Sequence, residues 1–200
     1  MLNPSLGVVI GASILTLAAC GSDAATAGAV DAGGASTSSA GSAQTPPATS
    51  ATDVEAWLAT GAYRSWHCEP APHPSRDPSP HGINRICSND LTSAFSGSGE
   101  RPQGSAGVKE LYDANGAAVV GYAVYVKTKA ASEGGNAWYW YERVPLDSAA
   151  PHDAKGVVAD GLGTTTNAKQ ICVSCHGAAG TDAAHTPSPG GGDQVYTQVK

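Results

Sequence analysis

Alternation of apolar and polar positions is strongest in the second half of the chain. Gly107–Tyr112, Ala117–Lys127 and Ala137–Arg143 are rich in β-branched and aromatic residues, and each is bounded by turn chemistry. Asp113-Ala114-Asn115-Gly116 separates the first two and Glu133-Gly134-Gly135-Asn136 the last two, so the pattern predicts an antiparallel meander. Ile83–Ser88 is expected as a strand ahead of it. Aromatic residues occupy both phases of Trp138-Tyr139-Trp140-Tyr141, which predicts a strand covered on both faces, by core on one and by a helix or a bound group on the other. Helical signals are short: Thr52–Leu58, capped by Thr52 or Asp53 with Trp57 and Leu58 turned inward, and Ala168–His176, capped by Thr166 or Asn167. Five prolines between Pro70 and Pro80 predict an extended surface loop, and Pro145–Gly163 and Gly177–Gly192 also read as loop. The expected class is α+β, a mainly antiparallel sheet with a few short helices, the last of them carrying the main candidate motif.

The N-terminal quarter follows a different pattern. Leu6–Ala19 is an apolar run too short to span a bilayer and suited to a signal-peptide core, although no Lys or Arg precedes it. It ends in Leu17-Ala18-Ala19-Cys20-Gly21, which resembles a bacterial lipobox and implies lipidation of Cys20, with plain secretory cleavage as the alternative. Gly21–Thr52 holds no aromatic residue, Leu or Ile, and cannot bury enough apolar surface to offset its ordering entropy. The expected organisation is a signal peptide over 1–19, a lipid-anchored flexible linker over 20–52 and a folded head over 53–200. Such a chain resides in the cell envelope, on the outer membrane, facing the periplasm or the cell surface.

Candidate chemistry centres on Cys172-Val173-Ser174-Cys175-His176. Two thiols at this spacing can add to the two vinyl groups of one haem, and the adjacent histidine then serves as the proximal iron ligand. A thioredoxin-like dithiol and half of a zinc site are the competing readings. The first should follow an early strand of a βαβ unit, and the second needs another close Cys or His pair. With Cys20 lipidated and Cys172 and Cys175 on haem, Cys68 and Cys87 remain. Outside the cytoplasm they are expected to form a disulfide worth about 3 kcal/mol, with two buried free thiols as the alternative. Net charge is −6 with no basic cluster, which argues against a nucleic-acid partner. Met1 is the only methionine, so a processed chain has no thioether to complete His/Met ligation. The sixth position is then open or taken by water or a histidine; His67, His73 and His81 lie in or beside the proline-rich loop, and His185 is expected in solvent.

Taken in order, Tyr63-Arg64-Ser65-Trp66, Arg85, Val108-Lys109-Glu110-Leu111, Trp138–Tyr141, Cys172–His176 and Asp193–Gln198 resemble the pattern of cytochrome P-460. The resemblance implies a mainly antiparallel β domain, usually a homodimer, with one covalent haem c held five-coordinate by His176. It implies oxidation of hydroxylamine to nitric or nitrous oxide, with electrons passed to a redox partner protein. It further implies that Lys109 is joined covalently to the macrocycle and that Arg85 lies beside it as a propionate or distal-pocket partner. One departure stands out, because the family's distal acidic residue falls near Ala123. The related β-sheet cytochromes c′ lack the cross-link and bind nitric oxide or carbon monoxide, which is the second expectation. A bis-His electron-transfer cytochrome is the third.

Overall fold

The computed structural model describes residues 45–76, 79–96, 98–186 and 190–200. The signal peptide, Cys20 and most of the linker expected from the sequence lie outside them. Among the described residues, no helix is long and apolar enough to cross a membrane.

Among the described residues, seven antiparallel strands form one sheet. β1 (His67–Cys68) and β2 (His73–Pro74) both pair with β3 (Ile83–Ser88). From there β4 (Ala106–Tyr112), β5 (Val119–Lys127), β6 (Trp138–Arg143) and β7 (Val157–Leu162) follow as a meander in chain order. The three central strands match the sequence expectation to within two residues at each end. β2 falls inside the proline-rich stretch expected to be loop, and β7 inside Pro145–Gly163. β7 is short, includes Asp160 and Gly161, and has a neighbour on one side only, so little of the alternation that marks a strand is present in it.

The sheet has two differently furnished faces. On one, α1 (Ala51–Ala59) and the 3₁₀ turn Ala62–Ser65 cover a core of Val54, Leu58, Tyr63, Trp66, Val108, Val124, Val126, Tyr139 and Tyr141. Ser50, rather than Thr52 or Asp53, caps α1, its hydroxyl accepting from the Asp53 amide at 3.2 Å. Leu58 is buried as expected and Trp57 half-buried. The helix is tied down at its first residue and at its middle: the Ala51 amide donates to Asp160 at 2.9 Å, and Arg143 Nε donates to Glu55 at 2.6 Å. Folded structure therefore begins before Asp53, with Pro46 buried and Ala48 and Ala51 packed on the core.

The other face carries Trp138 and Trp140 of β6, which pack with Ala159, Ala168, Cys172 and Val195. Tyr139 and Tyr141 face α1, so the aromatic strand is covered on both sides as its pattern predicts. The covering segment here is a π-helical turn, Ala168–Val173, running directly into one α-helical turn, α3 (Ser174–His176). Neither Thr166 nor Asn167 supplies a side-chain cap; the Asn167 amide instead donates to Val158 O at 3.3 Å. Two glycines set how closely this segment docks. A Cβ on Gly135 would lie 2.7 Å from Val173 Cγ1, and one on Gly163 would lie 2.9 Å from Val173 Cγ2. α2 (Asp90–Ala94), capped by Asn89, follows β3.

Cys68 and Cys87 face each other across β1 and β3 and are joined as a disulfide.

Candidate functional site

Beneath the C-terminal segment the sheet opens into a cleft. Cys172, Cys175 and His176 line one wall, and Lys109, Ala123, Trp140 and Glu142 project from β4, β5 and β6. Register explains the second set. Ile86 pairs with Lys109, Lys109 with Ala123, Ala123 with Glu142, and Glu142 with Ala159, so these residues form one transverse row on the same face. A neighbouring chamber shares Pro80, His81, Glu142, Cys172, Cys175 and His176 with the first, and is otherwise walled largely by apolar side chains including Leu111, Val144, Val158 and Ile171.

His176 is held from behind. Its Nδ1 lies 2.6 Å from the Gln194 carbonyl oxygen. A carbonyl only accepts, so Nδ1 carries the proton and Nε2 is left with its lone pair, the form a metal ligand requires. Burial pushes the imidazole pKa down to about 3, against the opposing Gln194 bond, so the ring is neutral across the physiological range. Trp140 packs on it with ring centroids 4.7 Å apart, and Tyr196 meets it edge-on at 5.5 Å. The Tyr196 hydroxyl donates to the Cys175 carbonyl at 2.9 Å, tying the motif to the C-terminal strand-like segment. Burial also raises the Cys172 thiol to about 12. Among the described residues no group of three or more His, Cys, Asp or Glu is placed to hold a metal ion.

Lys109 shares its face with Leu111, as strand alternation requires, and that face is the cleft. Its ammonium donates to the Ser79 hydroxyl at 3.3 Å. Burial pulls its pKa down to about 8, with Glu142 and Glu69 opposing the shift, so a substantial fraction is the neutral, nucleophilic amine in mildly alkaline solution.

Arg85 is not brought to this cleft. It sits one residue out of phase with Ile86, the partner of Lys109, and its side chain serves the opposite face. There its Nε lies 3.1 Å from Glu110, a buried carboxylate that also accepts from Tyr63 at 2.7 Å and Tyr112 at 2.8 Å. The expectation that Arg85 borders a bound group is corrected accordingly. The arginine that lines the cleft is Arg76, paired with Glu69 at 2.6 Å.

Two further residues of the site were not legible in the sequence. Glu142 stands opposite Ala123 in register, and its Oε1 lies 3.2 Å from His81 Nδ1, with both side chains 12% exposed. Glu142 thus places a carboxylate in the cleft beside Ala123, from the adjacent strand, and only strand register could reveal it. Of the other loop histidines, His67 pairs with Asp90 and His73 with Glu69, while His185 contacts Asp182 at the surface. Trp140 Nε1 is buried against the cleft with no hydrogen-bond partner, a donor aimed at nothing the chain itself provides. Compared with known protein families, with curated proteins and with solved structures, the chain matches no family model, no curated protein and no solved structure.

Proposed function

We propose that the chain is a c-type haem protein resembling cytochrome P-460, lipid-anchored through Cys20, that oxidises hydroxylamine to nitric or nitrous oxide. The observation that carries this reading is the convergence of Cys172, Cys175, His176, Lys109 and Glu142 on one cleft. Their chemistry fits haem. Two thiols stand beside a neutral imidazole whose Nε2 lone pair is free, the walls are largely apolar, Arg76 offers a cation for a propionate, and Trp140 Nε1 lacks a partner.

When bound, haem would supply the electron acceptor for substrate oxidation and pass electrons to a redox partner protein. The chain's own residues do the rest. Cys172 and Cys175 would hold the group by thioether bonds, and His176 would supply a ligand to its iron. Lys109, in its neutral form, is the amine able to bond to the macrocycle. Conversion of hydroxylamine to nitric oxide releases three protons with three electrons, so the reaction needs a proton acceptor beside the substrate. The Glu142 carboxylate takes that role, with His81 behind it as the next acceptor.

Replacing Cys172 and Cys175 with alanine is expected to abolish the haem stain that otherwise survives denaturing electrophoresis. If the mature wild-type chain, produced with a haem-attachment system, carries no covalent haem, the proposal fails. Glu142→Gln should then lower kcat for hydroxylamine oxidation by about 100-fold or more with haem content unchanged.

The apolar second chamber favours one alternative, a cytochrome c′-like protein that binds nitric oxide or carbon monoxide. Peptide mapping of the holoprotein separates the two: an unmodified Lys109 peptide selects the ligand-binding reading.

A further inference from the structure

The turn that delivers the Gln194 carbonyl to His176 has an improbable backbone. Gly192 and Val195 exchange backbone hydrogen bonds, N to O at 2.8 Å and 3.1 Å, so Asp193 and Gln194 are the central residues of a two-residue turn. Both have positive φ, 47° and 72°. That is the pattern of a type I′ turn, which normally calls on Asn or Gly; aspartate tolerates the left-handed region, whereas glutamine is unusual there. Such a conformation persists only where the surroundings over-determine it.

The surroundings do so through Asp193. Its carboxylate accepts from Lys127 Nζ at 3.0 Å, from the Arg101 amide at 2.6 Å and from the Ser132 hydroxyl. Lys127 and Arg101 are almost fully buried, and Asp193 itself nearly so. The Arg101 guanidinium grips the same loop independently, donating to Gly192 O at 3.2 Å and to Gly190 O, and it is braced by Thr92 O at 3.1 Å. Lys127 ends β5 and Ser132 precedes β6, so the ion pair fastens the C-terminal turn to the sheet. None of these side chains lines the cleft. Buried charges cost more than they return unless geometry is fixed and hydrogen bonds are complete, so their placement behind a strained turn points to a positional purpose.

We propose that Asp193 is a positioning residue for His176. Through Lys127, Arg101 and Ser132 it holds the 192–195 turn in the one shape that aims the Gln194 carbonyl at His176 Nδ1, and so fixes the ring's tautomer, orientation and donor strength. The proposal rests on the reading of His176 as the proximal ligand. Its structural half, control of the imidazole, stands without haem.

The test uses Asp193→Asn and, because that change leaves Lys127 without its main partner, a second variant, Lys127→Met with Asp193→Asn, in which both charges are removed together. In haem-free protein, long-range ¹H–¹⁵N spectra of labelled histidine should show His176 as a single Nδ1–H tautomer in the wild type. In either variant that pattern should be lost at His176 and kept at the other histidines, with the circular dichroism spectrum unchanged. In ferrous holoprotein, resonance Raman should show the iron–histidine stretching band shifted down and broadened, because a weakened hydrogen bond from Nδ1–H to the Gln194 carbonyl makes the ring a poorer donor. A folded variant in which His176 remains wholly the Nδ1–H tautomer overturns the proposal. Absence of covalent haem in the wild type would sink the haem reading alone, since the tautomer measurement is made without it.

Discussion

The two faces of the sheet use the same residue types to opposite ends. On the α1 face, every ionisable group near the core has a close partner: Glu110 is ringed by Tyr63, Tyr112 and Arg85, and Glu55 by Tyr141 and Arg143. Burial and the adjacent carboxylates push Tyr63, Tyr139 and Tyr141 above the normal phenol range, which keeps them neutral donors. On the cleft face, Lys109 is desolvated with only a long bond to Ser79, Trp140 Nε1 is unpartnered, and a carboxylate and two imidazoles stand around open space. Trp66 Nε1 and Arg85 Nε on the α1 face are likewise buried without a hydrogen-bond partner; what sets the cleft face apart is that its polar groups border open space instead of packed core.

That contrast predicts where substitutions act. Leu58→Ala, on the α1 face, should cost about 2–5 kcal/mol of stability by denaturant unfolding, from lost transfer energy and a residual cavity. It should leave any haem spectrum unchanged in the folded protein. Tyr63→Phe should cost about 1.5–3 kcal/mol, because it removes a charge-assisted bond to a buried carboxylate. A haem spectrum that moved with either change would mean that the faces are not separable.

Lys109→Met should act in the opposite sense to both of these changes. The folded pKa of Lys109 lies near 8, below the ordinary 10.5, so the unfolded chain binds more protons between those values. Stability of the haem-free wild type should therefore gain from Lys109 as pH rises from 8 toward 10.5, at no more than about 1.4 kcal/mol per pH unit. Below pH 8 the ammonium is held at a cost, so the methionine variant should be the more stable there. The difference should shrink with rising pH. Because tyrosines also titrate in this window, the wild type and variant are compared at each pH. A difference that is flat with pH would show that Lys109 is solvated and faces no cleft.

Legibility along the chain followed the strength of local signals. β4, β5 and β6 could be read because their alternation, β-branched content and turn residues agree. β7 could not, because an edge strand with glycine and aspartate carries no such pattern. The phase of Lys109 with Leu111 agrees with its place on the cleft face, but a strand lysine facing water fits the same pattern, so its burial was settled by the fold. The placement of Arg85 was settled there too, since nothing in the sequence says whether position 85 or 86 of β3 shares a face with Lys109. Glu142 escaped notice because it occupies no site motif of its own. The cap of α1 moved to Ser50 because Pro46, Ala48 and Ala51 already pack against the core, which drew the start of folded structure upstream.

By itself the sequence determined the thiol–thiol–imidazole spacing at Cys172–His176, the antiparallel meander, the pairing of Cys68 with Cys87 as the expected bridge, and an aromatic strand buried on both sides. These depend on chemistry within a few residues or on counting. The tertiary structure alone decided which face each charged side chain serves, that Glu142 stands across from Ala123, and that a strained turn at Asp193 and Gln194 backs His176. Those facts depend on strand register and on loops brought together across the fold. A register shift of one residue reverses every side chain while leaving the local sequence pattern intact.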